Sequence, residues 1–183
     1  MAALHNVAQF ITEIFFSFCI FFILLRILLQ LSRASVNNPI CQLTARITNP
    51  LVLPLRQILP NTRLFDLASL LILLILEIIK FSAAAMLQGF YFSFFLLIVM
   101  SVSDIILQTI NILFYAIIIR IVLSWINSVS SLYLAEIVYI MTEPLLGRIR
   151  KIIHPISGFD LSPIIAFLLL KVLSIVVLSY LPG

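Results

Sequence analysis

The chain has 183 residues, 63% of them hydrophobic and only 10% charged, with a formal net charge of +4. Its mean hydropathy is +1.27. A water-soluble domain of this size is about half apolar, so the composition excludes a globule covered by polar surface and makes the bilayer the solvent.

The first predicted element is a span at Phe10–Leu31, behind a tail, MAALHNVAQ, without Lys or Arg. No A-x-A site follows the apolar stretch, so it is read as a retained span rather than a cleaved signal peptide. Arg26 lies near its far end, where it can snorkel to the interface or meet Asp66 at the same depth. Residues 32–65 form a long loop with Arg33, Arg46, Arg56 and Arg63 and no acid. Within it Leu51, Val52, Leu55, Ile58 and Leu59 share one helical face, with Arg56 and Gln57 opposite, and Pro54 bends or shortens the helix. Asp66 then stands where a carboxylate caps free N–H groups and complements the helix dipole. It opens a second span, Leu67–Leu87, with Glu77 and Lys80 near its middle.

The aromatic-rich run Phe90–Val102 is short for a span. It reads either as an interfacial segment or as an extension of a neighbouring helix. The third span is Ile105–Ile126, with Arg120 near its end. Loop 127–159 follows, holding Arg148, Arg150 and Lys151 against Glu136 and Glu143. With Pro144 placed at the first position of a helix, Leu145, Leu146, Ile149, Ile152 and Ile153 fall on one face and Arg148, Arg150 and Lys151 on the other. Asp160, a second cap, precedes the fourth span, Leu161–Leu181, which contains Lys171. Each span of about 21–22 residues is long enough to cross a hydrocarbon core of about 30 Å.

The basic residues orient the chain. Short loops rich in Lys and Arg stay cytoplasmic, which predicts both long loops inside and both termini in the periplasm of a bacterial inner membrane. A fifth span at 90–102 would put the second basic loop outside and is rejected. Short helices with an apolar face and a basic rim lie in the membrane surface, drawn to anionic headgroups. This assigns Arg46, Arg56, Arg148, Arg150 and Lys151 to the lipid interface. Packing of the same helices against the span ends is the competing reading.

The chain also repeats itself. TNPLVLPLRQILPNTRLFDLAS begins at Thr48 and TEPLLGRIRKIIHPISGFDLSP begins 94 residues later, at Thr142. At the same offset Arg26 maps onto Arg120, Pro50 onto Pro144, Arg56 onto Arg150 and Asp66 onto Asp160. Self-similarity at a fixed period marks duplication. The expected fold is therefore an all-α integral membrane protein. Its four transmembrane helices form two tandem parallel helical-hairpin repeats, 1–89 and 90–183, each with a cytoplasmic amphipathic helix between its spans. An even number of spans per unit makes the repeat parallel, about an axis along the membrane normal. Arg26 with Asp66 and Arg120 with Asp160 are the expected cap and rim pairs. Glu77 and Lys171 occupy equivalent places, so they are expected to pair between helices; Lys80, three residues from Glu77, is the rival partner.

The sequence RIVLSW, then TEPLLGRIRKIIHP, then GFDLSP resembles the YggT family of small bacterial membrane proteins, whose single-unit relatives include the YlmG proteins and plastid homologues. The likeness covers nearly the whole chain in the two-copy form. The first copy departs from it, with ASL rather than SPI after the Asp and VLP where the second has LGR. The resemblance implies a membrane scaffold or assembly factor, associated with osmotic or ionic stress, with the neighbourhood of cell-division genes, and in plastids with cytochrome b6 maturation and nucleoid distribution.

No catalytic residue, cofactor site or metal site is expected. HExxH, GxSxG and P-loop patterns are missing from the sequence. His5 and His154 fall on opposite sides of the expected membrane, and no span contains a histidine to hold haem. Cys19 and Cys41 are read as free thiols without metal spacing. Nucleic acid is not an expected partner, because anionic lipid is the nearer polyanion. The partners expected are the bilayer, with anionic headgroups at its cytoplasmic face, and an unidentified membrane protein or a second copy of the chain. Charge within spans is a functional hypothesis by default. Glu77, Lys80 and Lys171 therefore support the alternative of an ion or solute path.

Overall fold

The computed structural model describes residues 2–59, 66–125, 133–153 and 160–179, and among them holds six helices and no strand. They are α1 (Ala2–Leu31), α2 (Pro39–Arg56), α3 (Leu67–Gln88), α4 (Phe94–Ser124), α5 (Tyr133–Ile152) and α6 (Ser162–Ser179). Four stretches are long and apolar enough to cross a membrane: Asn6–Leu31, Leu67–Gln88, Phe94–Ser124 and Ser162–Ser179. Arg63 and His154 lie outside the described residues.

Local chemistry sets most helix ends. Arg33 closes α1 in the left-handed region (φ 56°), while Ala34 N–H donates to the Leu29 carbonyl and Arg33 N–H to that of Gln30, both at 3.0 Å. These bonds satisfy carbonyls that a helix end leaves orphaned. Gly89 (φ 73°) closes α3 in the same way, with Phe90 N–H on the Ala85 carbonyl at 3.0 Å. Asn38 caps α2 by accepting from Ile40 N–H, ahead of Pro39 in the first turn, and Ser93 caps α4 by accepting from Leu96 N–H.

One alternative left open by the sequence is decided here, and one expectation changes. Residues 90–102 do not form a separate interfacial segment: the chain enters helix at Phe94 and runs unbroken to Ser124. Ser93 supplies a cap and no proline or glycine interrupts the run, so nothing stops helix propagation. Pro144 does not open a helix either. Both prolines of the duplicated phrase sit inside longer helices, Pro50 with Pro54 in α2 and Pro144 in α5. Each proline lacks a donor for the preceding turn, and packing against the spans outweighs that loss. On α5 Ile149 is buried, while Lys151 and Ile152 are exposed, Ile152 at 80%.

Two apolar cores hold the helices together. Ile20, Ile23 and Leu24 of α1 meet Val52 of α2 and Ala68, Ile72 and Leu73 of α3. Ile110 and Ile117 of α4 meet Leu146 and Ile149 of α5 and Ala166 and Leu170 of α6. The positions correspond: Ile23 with Ile117, Val52 with Leu146, Ile72 with Ala166, always 94 apart. Packing of α3 on α4 joins the cores, as does a cluster of Leu29 with Ile137 and Met141. At the start of α2, Asn38 Nδ2 donates to Glu136 Oε2 at 2.8 Å and to the Tyr133 carbonyl at 3.0 Å.

Candidate functional site

The polar side chains gather in three places, two of them equivalent. In the first, α1 carries Arg26 to the side of α2. Its Nη1 donates to Thr48 Oγ1 at 2.6 Å and Asn49 Oδ1 at 2.9 Å, and its Nε lies 3.6 Å from Asp66 Oδ2. Arg56, at the end of α2, pairs with the same Asp66 carboxylate. Asp66 caps α3 through Ser69 N–H and accepts from Ser69 Oγ at 2.6 Å. Burial alone would raise the Asp66 carboxyl. The Arg56 and Ser69 hydrogen bonds outweigh it and hold the group below its usual 3.8.

The second site repeats the first. Arg120 Nη1 donates to Thr142 Oγ1 at 2.7 Å and Nη2 to Glu143 Oε2 at 2.7 Å. Arg150 bridges Glu143 at 3.0 Å and Asp160 at 2.9 Å, and Asp160 accepts Ser162 N–H at 2.9 Å. Both threonines also donate to a carbonyl one turn back, Thr48 to Thr44 and Thr142 to Val138, each at 2.7 Å. Burial raises Glu143 and Asp160, but Arg120 and Arg150 for the first, and Ser162 and Arg150 for the second, bring both below their usual range.

The rims correct several sequence assignments. Arg120 pairs with Glu143, not with Asp160, because Glu143 stands where the first copy has Asn49. Arg56 and Arg150 are also bound into ion pairs, with Asp66 and with Glu143 and Asp160, which the sequence did not assign to them. Arg46, Arg148 and Lys151 are exposed. Thr48 and Thr142 were not singled out as site residues, although both open the repeated phrase.

The third cluster lies between two spans. Lys80 Nζ is 2.6 Å from Glu77 Oε2 on its own helix and pairs with Asp104 of α4. Gln108 Nε2 bridges the two acids, at 2.7 Å from Glu77 Oε1 and 2.9 Å from Asp104 Oδ2. Glu77 is fully buried. The expected Glu77–Lys171 pair is not formed: Lys171 is exposed on α6, while α3 turns Glu77 toward α4. Lys80 also lines a small cavity of about 130 Å³ with Gln9, Thr12 and Glu13 of α1.

Comparison with known proteins fits the duplication. The CCB3/YggT family model matches twice, over residues 5–87 and 99–181. An uncharacterized protein of Pseudomonas aeruginosa is 36% identical over 181 residues, covering 98% of this chain and 92% of the relative. One from Vibrio alginolyticus is 32% identical over 168 residues, covering 89% of each. The uncharacterized protein YggT of Escherichia coli K12 is 32% identical over 153 residues, covering 83% of this chain and 79% of that protein. No solved structure matches the chain.

Proposed function

The chain belongs to the CCB3/YggT family, and we propose that it is a non-enzymatic inner-membrane scaffold or assembly factor that acts through lipid and a partner protein. In this reading the two copies are parallel hairpins, each with its intervening helix, α2 or α5, on the cytoplasmic surface. One observation carries it: the buried charged groups are spent on one another. Glu77, Lys80, Asp104 and Gln108 close into a network between α3 and α4, and each rim closes on its own Asp. Groups consumed in this way hold helices together and do not offer a reacting atom or a lined path. The outer faces are apolar, as for Phe10, Phe15 and Phe18 of α1 and Leu168, Val172 and Ile175 of α6, so contacts with lipid and neighbouring spans are what remains available.

Affinity purification of the tagged chain in mild detergent tests this. A stoichiometric membrane protein is expected; recovery of the chain alone, across detergents, counts against it. One observation favours the second reading, an ion or solute path serving osmotic balance: the cavity at Lys80 reaches the network from the α1 side with Glu13, Thr12 and Gln9 on its wall. Flux through proteoliposomes that stops in Glu77→Gln would replace the scaffold by the path.

A further inference from the structure

The two rims share a plan but differ in charge and in space. In the second copy Arg120 and Arg150 face two carboxylates, Glu143 and Asp160, and the rim is neutral. In the first, Asn49 replaces Glu143, so Arg26 and Arg56 share the single carboxylate of Asp66. The space differs at a second equivalent pair. The Tyr139 ring covers the Arg120 guanidinium at 4.4 Å, whereas the first copy has Ala45 there. A cavity of about 780 Å³ opens where that ring would lie, lined by Arg26, Arg56, Ala45 and, from the end of α1, Gln30 and Arg33. Arg33 is exposed and has no ion-pair partner among the described residues. None of the undescribed residues has an acidic side chain. Glu136 is held by Asn38 on the α5 side; its charge, after burial, helps raise the Cys41 thiol at the cavity edge.

We propose that this first-copy cavity binds the phosphate of an anionic phospholipid, held by Arg26, Arg33 and Arg56, with the acyl chains leaving along Leu29 and Val36. The proposal rests on the reading of the chain as a membrane scaffold and names a lipid for it. Three guanidiniums against one carboxylate leave net positive charge, and guanidinium donors suit phosphate oxygens. The cavity lies beside the end of the α1 span, which the proposed orientation puts at headgroup depth, and it is open and partly apolar, which favours a lipid over a free anion.

Native mass spectrometry of the purified full chain tests it, with phosphatidylglycerol as ligand, phosphatidylcholine as neutral control and inorganic phosphate as competitor. One phosphatidylglycerol per chain is expected to bind at least about tenfold tighter than phosphatidylcholine. Arg33→Gln should weaken that preference about fivefold, the effect of one charge near a membrane surface. Ala45→Tyr, which copies Tyr139, should abolish it. Neither variant should alter the thermal unfolding of the lipid-free protein, because Arg33 is unpaired and Ala45 borders open space. Equal binding of both lipids, or wild-type preference in Arg33→Gln and Ala45→Tyr, overturns the proposal. So does displacement of the lipid by millimolar phosphate, which identifies a free-anion site. Loss of the lipid site would leave the scaffold reading standing, since a co-purified partner reports on that separately.

Discussion

Each rim depends on one threonine that turns a buried arginine into a fixed strut. Thr142 Oγ1 spends its hydrogen on the Val138 carbonyl and so offers Arg120 a lone pair, and Thr48 does the same for Arg26. Thr142→Val keeps the shape but leaves an Arg120 N–H without its acceptor. An unsatisfied buried donor costs about 1–3 kcal/mol, so thermal unfolding in detergent should show a clear loss, with Thr48→Val alike. Thr12, half-buried and with a hydroxyl that meets only its own helix, should tolerate the same change. The rim carboxylates also set an acid limit. Asp66, Glu143 and Asp160 all have folded pKa values below their usual ones. Their contribution is complete above the unfolded values of about 3.9 for Asp and 4.3 for Glu, and is lost as pH falls through the folded ones. Melting temperature should hold between about pH 7 and 5 and fall below about pH 4; a fall that begins near neutrality would mean that other groups govern it. The arginines and aspartates were legible in the sequence because charge is rare there. The threonines were not, since a hydroxyl beside an apolar run reads as filler until its arginine is placed.

At the scale of helices, the joint between α3 and α4 is where the molecule takes the largest electrostatic risk. One lysine serves two acids, so removing Lys80 should do more harm than removing either acid. Lys80→Met leaves Glu77 and Asp104 facing each other without a cation, and a charge at mid-membrane costs at least about 2.5–3.5 kcal/mol on insertion scales. Asp104→Asn keeps the Glu77–Lys80 pair and should cost less. Adding Asp104→Asn and Glu77→Gln to Lys80→Met should recover much of the loss, as for replacement of a buried ion pair by neutral groups. Exchanging the charges of Glu77 and Lys171 should give no rescue, and a rescue would show that the helices are rotated otherwise than described. Nothing in the uniformly apolar sequence of α3 told how it turns against its neighbours. Duplication suggested the equivalent helix α6 as partner for Glu77, yet α3 packs on α1 and α4. Asp104 escaped notice because it lies just before the third span as read from the sequence, Ile105–Ile126, and Gln108 because an uncharged amide within a span carries no charge signal. Once Phe94–Ser124 is one helix, Asp104 falls within its apolar length and becomes an intramembrane acid.

For the whole molecule, duplication and charge lead to one orientation. Both copies run span, intervening helix, span in the same order, and a parallel repeat would place α2 and α5 on the same side. Both are preceded by spans ending in an arginine rim, and all basic residues outside the spans lie in the loops that contain these helices. The positive-inside rule predicts that this side is the cytoplasm. Merging residues 94–102 with the third span strengthens the reading, because it removes the segment that offered a fifth crossing. At 31 residues, α4 is about 46 Å long against a core of about 30 Å, so it must tilt or project, and Tyr91, Phe94 and Phe95 at its outer end suit the headgroup layer. The test needs a background in which Cys19 and Cys41 are replaced by serine. Single cysteines then go to Gln88 and Tyr91, between α3 and α4, and to Ser35 and Lys151, in the two basic loops; all four positions are exposed. A maleimide that cannot cross the membrane should label Gln88→Cys and Tyr91→Cys in intact cells, and should reach Ser35→Cys and Lys151→Cys only after permeabilisation. Labelling of Lys151→Cys but not Ser35→Cys would mean an odd number of crossings between them and an inverted second copy. Labelling of both loops with neither outer position would turn the whole molecule over. Either pattern would also move the arginine cavity of the first copy to the opposite leaflet or unlink it from the second rim, so the orientation decides which membrane surface the scaffold presents.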